Sequence, residues 1–115
     1  MLNDASQVQI RKVYIATGYT DGRMGIDRLV AEIRYQFGRN PYEKGTLFLF
    51  CGRKCDRIRG LIWEGDGFLY MVKRISRGRY QWPRNQQELK SIDWDDFQRL
   101  LHGFSIVSTI HSNAS

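Results

Sequence analysis

The 115-residue sequence contains no apolar run approaching the roughly 20 residues that a membrane-spanning helix requires. Its first residues do not show a charged stretch followed by an apolar one, so no secretory signal is predicted. The glycine-rich phosphate loop, the dinucleotide-binding fingerprint and the serine nucleophile elbow are also absent. We therefore expect a cytoplasmic protein, and no familiar enzyme signature indicates a catalytic role.

Cysteine and histidine are scarce, which limits metal and acid–base chemistry. Cys51 and Cys55 are the only cysteines, and a zinc site would need two further ligands. The only histidines, His102 and His111, lie far along the chain and lack ligand spacing. We expect a reduced cysteine pair at a strand end, no metal or cofactor, and no histidine-based catalysis. A disulfide is the less favoured alternative because the cytosol is reducing.

Positive charge is present in excess, but it is unevenly distributed. The chain carries a net charge of +6. Residues 52–84 contain nine basic and three acidic residues, whereas residues 1–51 carry +2 and residues 85–115 carry −2. The middle segment alone therefore accounts for the whole net charge. Such a concentration favours a polyanionic partner, and the alternative is a basic surface that is simply solvated.

Hydrophobic patterning predicts a single α+β domain over residues 1–115, with loosely ordered tails at 1–9 and 108–115. Residues 13–17 and 46–51 are predicted strands. Helical spacing of apolar residues predicts a helix from Met24 to Phe37, capped by Thr20 or Asp21 and ended by Gly38. A short C-terminal helix is predicted between Asp93 and Gly103.

Residues 57–75 predict a β-hairpin, because Gly-Asp and Asp-Gly in the loop 64–67 are strong turn signals. A two-residue loop at Gly65-Asp66 pairs Trp63 with Phe68, Leu61 with Tyr70, Arg59 with Val72 and Arg57 with Arg74. A loop at Asp66-Gly67 shifts the pairing by two residues and leaves each side chain on the same face. Residues 80–82 can return as a further short strand, and residues 85–90 are predicted to form a polar loop. Together these segments predict an antiparallel sheet of four or five strands, with the main helix on one face.

The two faces of this hairpin differ in chemistry. One face is aliphatic and is predicted to be core, with Ile58, Ile62, Leu69, Met71, Lys73 and Ile75 around a gap at Gly60. The other is aromatic near the turn and basic at the far end, with Arg57, Arg59, Leu61, Trp63, Phe68, Tyr70, Val72 and Arg74. It is either a second packed face rimmed by arginines or a nucleic-acid surface. We favour packing for Trp63 and phosphate contact for Arg57, Arg59 and Arg74.

Several short motifs occur in a specific order. Residues 20–27 read T-D-x-R-x-G-x-D, and Phe48-Leu49-Phe50 leads into the basic stretch at 52–59. Trp63-Glu64-Gly65-Asp66-Gly67-Phe68 follows, and after it Lys73-Arg74-Ile75, Arg77-Gly78-Arg79-Tyr80 and Trp82-Pro83. This order resembles the small TnpB-type accessory protein of the insertion-sequence-66 family of bacterial transposable elements, over about residues 13–103. Glu64, Val72 and Ser76 stand where that family usually has Asp, Tyr and Glu.

The resemblance implies a part in transposition, beside a separate and larger transposase that performs the strand chemistry. It supplies no catalytic role for this small protein. Nucleic-acid contact is instead argued from the basic middle of the chain, and the family context supports it. The candidate phosphate contacts are Arg23, Arg53, Lys54, Arg57, Arg59, Lys73, Arg74, Arg77 and Arg79.

We therefore predict a non-catalytic accessory protein of transposition that binds DNA, the transposase or both. Two alternatives remain open on the sequence. Asp56, Glu64 and Asp66 could hold magnesium in a nuclease, although residues of this type are also common in turns. The aromatic face of the hairpin could instead dock on the transposase without any contact to DNA.

Overall fold

The computed structural model describes residues 10–91, in which four strands and a helical segment form two layers. The chain runs through β1 (Lys12–Ile15), α1 (Ile26–Ala31), β2 (Thr46–Cys51), β3 (Arg57–Trp63), β4 (Phe68–Arg74) and α2 (Gln86–Lys90). α1 continues directly into a π-helical segment, Glu32–Gln36. The predicted helix at 93–103 and both predicted tails lie outside the described residues.

The sheet has the order β1-β2-β3-β4 and is mixed. β1 pairs with β2 in parallel, whereas β2–β3 and β3–β4 are antiparallel. The prediction of a wholly antiparallel sheet was therefore wrong at β1. The helix lies between β1 and β2 in the chain, and it returns the backbone to the starting end of the sheet, which is the usual way to make parallel neighbours.

The main helix is shorter at its start than the apolar stripe predicts. It begins after Gly25, which provides no side-chain cap, so the predicted caps Thr20 and Asp21 are wrong. The Asp21 carboxylate instead accepts a hydrogen bond from the backbone N–H of Arg23 at 2.9 Å. The predicted end is confirmed. Gly38 has φ +63°, a left-handed conformation typical of the residue after a helix, and the N–H of Arg39 donates to the carbonyl of Ile33 at 2.8 Å, closing the wide π-helical turn.

The predicted hairpin is confirmed in register. Trp63 pairs with Phe68 and Arg57 pairs with Arg74, with every intermediate pair in step. Gly65 has φ +99°, and the N–H of Glu64 donates to the carbonyl of Gly67 at 2.8 Å. A glycine with positive φ at the first loop position is typical of a type II′ turn, whose twist matches that of the strands.

Each face of the sheet contributes a hydrophobic cluster. Under α1 lie Ala16, Leu29, Ile33, Phe48, Phe50 and Leu61, with Phe68 and Tyr70 packed against them. On the opposite face lie Ile10, Ile15, Leu47, Leu49, Cys51, Ile58, Ile62 and Trp82. The aliphatic hairpin face is core at Ile58 and Ile62, with Leu69 and Met71 packed against the cluster, whereas Lys73, which was predicted to be core, is exposed. Much of the aromatic face is core as well, because the helix covers it.

The segment after β4 crosses the sheet without pairing as a strand, so the predicted strand at 80–82 is wrong. It is fixed instead by Trp82, which is buried and donates its indole N–H to the carbonyl of Ala16 at 3.0 Å. The predicted polar loop at 85–90 is also wrong, since residues 86–90 form α2. The Asn85 side chain caps this helix by accepting from the N–H of Glu88 at 2.8 Å.

Candidate nucleic-acid interface

Three connections leave the sheet at the same end. The carboxyl ends of β1 and β2, the start of β3 and the end of β4 all lie there, as the pairing of Ile15 with Leu49, Cys51 with Ile58 and Arg57 with Arg74 requires. We define the basic end as residues 18–25, 52–57 and 73–80. Segments that are distant in the sequence are thus adjacent in the fold.

Backbone hydrogen bonds join these segments to one another. The N–H of Thr20 donates to the carbonyl of Cys51 at 2.9 Å. The N–H of Ile75 donates to the carbonyl of Asp56 at 2.8 Å, and that of Tyr80 donates to the carbonyl of Cys55 at 2.7 Å. The basic end is therefore a connected platform, and its side chains are held by backbone that is itself bonded across the segments.

The platform carries eight basic and two acidic side chains. All eight basic residues are exposed, namely Arg23, Arg53, Lys54, Arg57, Lys73, Arg74, Arg77 and Arg79. Within residues 10–91, only two of them lie within 4 Å of a carboxylate. Arg23 reaches Asp21 at 3.2 Å and Arg57 reaches Asp56 at 3.8 Å. Most of the positive charge on this surface is therefore not neutralised by the described part of the protein.

Arg57 and Arg74 illustrate this charge excess, because they face each other directly across β3 and β4. Like charges in directly opposite strand positions destabilise a sheet. Folding alone does not explain such a pair. An anion between the two guanidiniums would relieve their repulsion, and phosphate oxygens suit the arginine fork.

Arg59 differs from the other candidate phosphate contacts, because it lies inside the protein with 3% of its surface exposed. Its guanidinium donates to the carbonyls of Met24 at 2.8 Å and Asp21 at 2.9 Å. The residue shares a strand face with Arg57, as the alternation predicts. The loop of residues 20–24 folds over that position, however, so Arg59 has no surface to offer a phosphate.

Two titratable groups at this end have shifted pKa values. Hydrogen bonds from Arg23 lower the pKa of the exposed Asp21 carboxyl, so this carboxylate stays ionised and holds Arg23 in place.

Burial, together with the neighbouring Cys55, raises the pKa of Cys51 to about 12. Both cysteines are free, and the Cys51 thiol stays protonated at neutral pH, which suits core packing and makes it a poor nucleophile.

The opposite end of the sheet is aromatic. We define the aromatic end by Tyr42, Trp63 and Phe68, whose ring centroids lie 4.9–5.6 Å apart.

Glu64 and Asp66, two of the three candidate magnesium ligands, lie in the turn beside these rings. Asp56 precedes the seven-residue strand β3 and Glu64 follows it, so their backbones are about 26 Å apart at the usual rise per residue. The three carboxylates therefore do not form one site, and no group of three metal-ligating side chains occurs within residues 10–91.

Arg84 is a further cation beside the platform that the sequence did not identify as a candidate phosphate contact. Arg84 is exposed, and its neighbour Pro83 accepts a hydrogen bond from the N–H of Gly18 at 3.0 Å. This contact brings residues 83–84 alongside the loop that carries Arg23. The residue belongs to the basic middle of the chain, but its placement depends on how the segment after β4 crosses the sheet.

A protein-family model described as "IS66 Orf2 like protein" matches residues 11–110. The chain belongs to the IS66 Orf2-like family. The resemblance drawn from the motif order is thus confirmed, and the family makes the chain a transposition-associated accessory protein. Within the part of this IS66 Orf2-like protein that the structure describes, no helix is long and apolar enough to cross a membrane.

Two similar proteins come from Sinorhizobium fredii (strain NBRC 101917 / NGR234). The "Uncharacterized protein y4hO" is 34% identical over 92 residues, which cover 80% of this IS66 Orf2-like chain and 79% of y4hO. The "Uncharacterized protein y4jC" is 28% identical over 92 residues, covering 80% and 78% of the two chains. No solved structure matches the chain.

Proposed function

We propose that this IS66 Orf2-like protein is a non-catalytic accessory protein of transposition that binds DNA through its basic end, in the bacterial cytoplasm. One observation carries the proposal. Eight exposed cations from three separate chain segments converge on one end of the sheet, against two carboxylates. Proteins that act on transposable elements meet duplex DNA, whose phosphates are the matching polyanion.

The position of the surface in the fold supports the same conclusion. In sheets with parallel strands, ligands bind outside the carboxyl ends of those strands, where the connecting loops are free to carry function. Here the carboxyl ends of β1 and β2 both open onto the basic end. The remaining cations come from the hairpin, which extends the surface sideways along the sheet.

The proposed phosphate contacts follow from exposure. They are Arg23, Arg53, Lys54, Arg57, Lys73, Arg74, Arg77 and Arg79, with Arg84 added and Arg59 left out because it is buried. These contacts would position DNA without reading its sequence, because phosphates are the same at every base pair. We therefore expect binding that depends little on DNA sequence and strongly on salt.

The test is the salt dependence of binding to a duplex, measured by fluorescence anisotropy. Each neutralised phosphate adds about 0.9 to the negative slope of log K against log salt. Four to eight contacts then give a slope between roughly −4 and −7. Undetectable binding at low salt, or a slope shallower than about −1, would contradict the proposal.

The aromatic end supports a second role, which is contact with the transposase. Tyr42 is 44% exposed and stacks edge-on against Trp63 at 5.1 Å, and aromatic residues of this kind are frequent at the centres of protein interfaces. The assay is a pull-down of the purified transposase at high salt after nuclease treatment. Retention that is lost in Tyr42→Ala supports this role, and equal retention by Tyr42→Ala excludes it for this surface.

A further inference from the structure

Arg59 has an unusual environment for an arginine, since its guanidinium is buried and bound by backbone carbonyls. One terminal nitrogen, Nη1, donates to the carbonyl of Met24 at 2.8 Å. The other, Nη2, donates to the carbonyl of Asp21 at 2.9 Å and reaches that of Thr20 at 3.5 Å. The rigid planar fork of an arginine can satisfy several such acceptors at once, which the point charge of a lysine cannot.

The stability of the fold does not explain this arrangement. No carboxylate of residues 10–91 lies within 4 Å of Arg59, so its buried charge is compensated by carbonyl dipoles alone. A buried charge carries a desolvation penalty, and an apolar side chain of similar volume is often as stabilising or more so. Stability alone therefore does not require an arginine at this position, and the contacts of its guanidinium indicate a second role.

Its contribution is visible in the loop that it binds. The carbonyls of Thr20, Asp21 and Met24 turn inward to the guanidinium, and the N–H of Met24 donates to the carbonyl of Asp21 at 3.1 Å. With its backbone fixed on the inner side, the loop projects Arg23 outward. The Arg23 side chain is 91% exposed and is aligned by the Asp21 carboxylate at 3.2 Å.

We propose that Arg59 is a positioning residue of the basic end, which acts on DNA through Arg23 and does not itself contact DNA. The inference rests on the proposed DNA binding. Arg59 joins the hairpin that carries Arg57 and Arg74 to the loop that carries Arg23, so cations from two separate parts of the chain share one surface. Without it, the loop loses its inner anchor and Arg23 no longer has a fixed place beside the hairpin cations.

The first experiment is a double-mutant cycle on binding to a DNA duplex. Arg59→Met should weaken binding about threefold to fivefold, the effect of one exposed charged contact, and should make the salt slope shallower by about 0.9. Arg23→Ala should do the same. The double variant should bind no more weakly than either single variant, whereas fully additive losses, or an unchanged slope in Arg59→Met, would overturn the proposal.

Arg59→Lys distinguishes the positioning role from the effect of charge alone. Circular dichroism reports whether each variant folds, and Arg59→Lys replaces Arg59→Met in the cycle if Arg59→Met does not fold. Arg59→Lys keeps the positive charge but loses the fork that binds separate carbonyls, so we expect the same loss as in Arg59→Met. Wild-type affinity and slope in Arg59→Lys would show that only charge matters and would overturn the proposal.

A second measurement does not depend on DNA. Hydrogen exchange at the Met24 amide should become about tenfold faster in Arg59→Met and Arg59→Lys, because the turn that protects it loses its anchor. Unchanged exchange would overturn the positioning role even if DNA binds. If the wild-type protein does not bind DNA while exchange rises as expected, the proposed function fails and the loop-anchoring role stands.

Discussion

The two ends of the sheet are built from the same hairpin, yet they differ in nearly every property. At the aromatic end, Trp63 and Phe68 pack against Tyr42, and the turn contributes two carboxylates. At the basic end, the same two strands present Arg57 and Arg74 side by side. One end is held by contacts that lower the free energy of the fold, and the other keeps charges that repel each other. The proposed binding surface is thus located where folding gains least.

The largest expected effect comes from removing charge at the basic end. The triple variant Arg53→Ala, Lys54→Ala and Arg77→Ala should bind DNA about 30- to 100-fold more weakly, with a salt slope shallower by about 2.7. The matched control removes two arginines and a lysine from other exposed positions, Arg11, Arg34 and Lys44. Anisotropy titrations at three salt concentrations measure both variants, and equal losses would show that the difference between the ends has no bearing on DNA.

Trp63→Ala tests whether the aromatic end contributes to stability without contributing to DNA binding. Losing the ring from its cluster should lower the free energy of unfolding by about 2 kcal/mol, while the salt slope of DNA binding stays that of the wild type. Urea unfolding and anisotropy give the two quantities. Trp63→Phe keeps an aromatic ring in the cluster and should recover part of the stability. A changed salt slope in Trp63→Ala would mean that the two ends are not independent.

Arg74→Gln should move stability and binding in opposite directions. Removing one of two facing cations should raise the free energy of unfolding by a few tenths of a kcal/mol, while DNA affinity falls about threefold. Arg74→Lys keeps the charge and should change neither quantity as much. Urea unfolding at low salt is the decisive measurement, since the repulsion is screened at high salt. A loss of stability in Arg74→Gln would contradict the view that this pair is retained for binding.

The smallest effect is confined to alkaline pH. Cys51 ends β2 beneath the basic end, and its pKa is raised from 9.0 to about 12. Above about pH 9 the unfolded chain loses this proton while the folded protein keeps it, so the free energy of unfolding falls as pH rises towards 12. Urea unfolding at pH 8 and pH 10.5 should show a steeper fall for the wild type than for Cys51→Ala. An equal fall in the free energy of unfolding for the wild type and Cys51→Ala would show that the pKa of the Cys51 thiol is not raised by burial.

The hairpin could be predicted in register because its signals are local. Gly65 supplies the turn, and strand alternation then assigns every side chain to a face. The parallel pairing of β1 has no local signal within residues 12–15, but the predicted order of strand, helix and strand is typical of a parallel pair, and the prediction did not use it. The helix α2 was missed because residues 86–90 show no apolar stripe, and its Asn85 cap also resembles turn chemistry.

The candidate site was predictable in composition but not in geometry. Eight of the nine cations predicted from the sequence are exposed, as expected for charged side chains on short connections and at strand ends. Arg59 lies on the same strand face as Arg57, so only the path of the loop at 20–24 distinguishes a buried guanidinium from an exposed one. That path is a tertiary feature, and the sequence gives no local signal for it.

The parallel pairing of β1 with β2 also has a consequence for the order of folding. Residues of β3 and β4 meet through a short turn, whereas Lys12 must find Thr46 across the whole helical connection. Closing the longer loop costs more chain entropy, so local hairpins form before distant parallel pairs. We therefore expect the hairpin cations to be in place before β1 docks and brings the loop with Arg23 beside them. In that order of folding, the basic end is complete only once β1 has paired with β2.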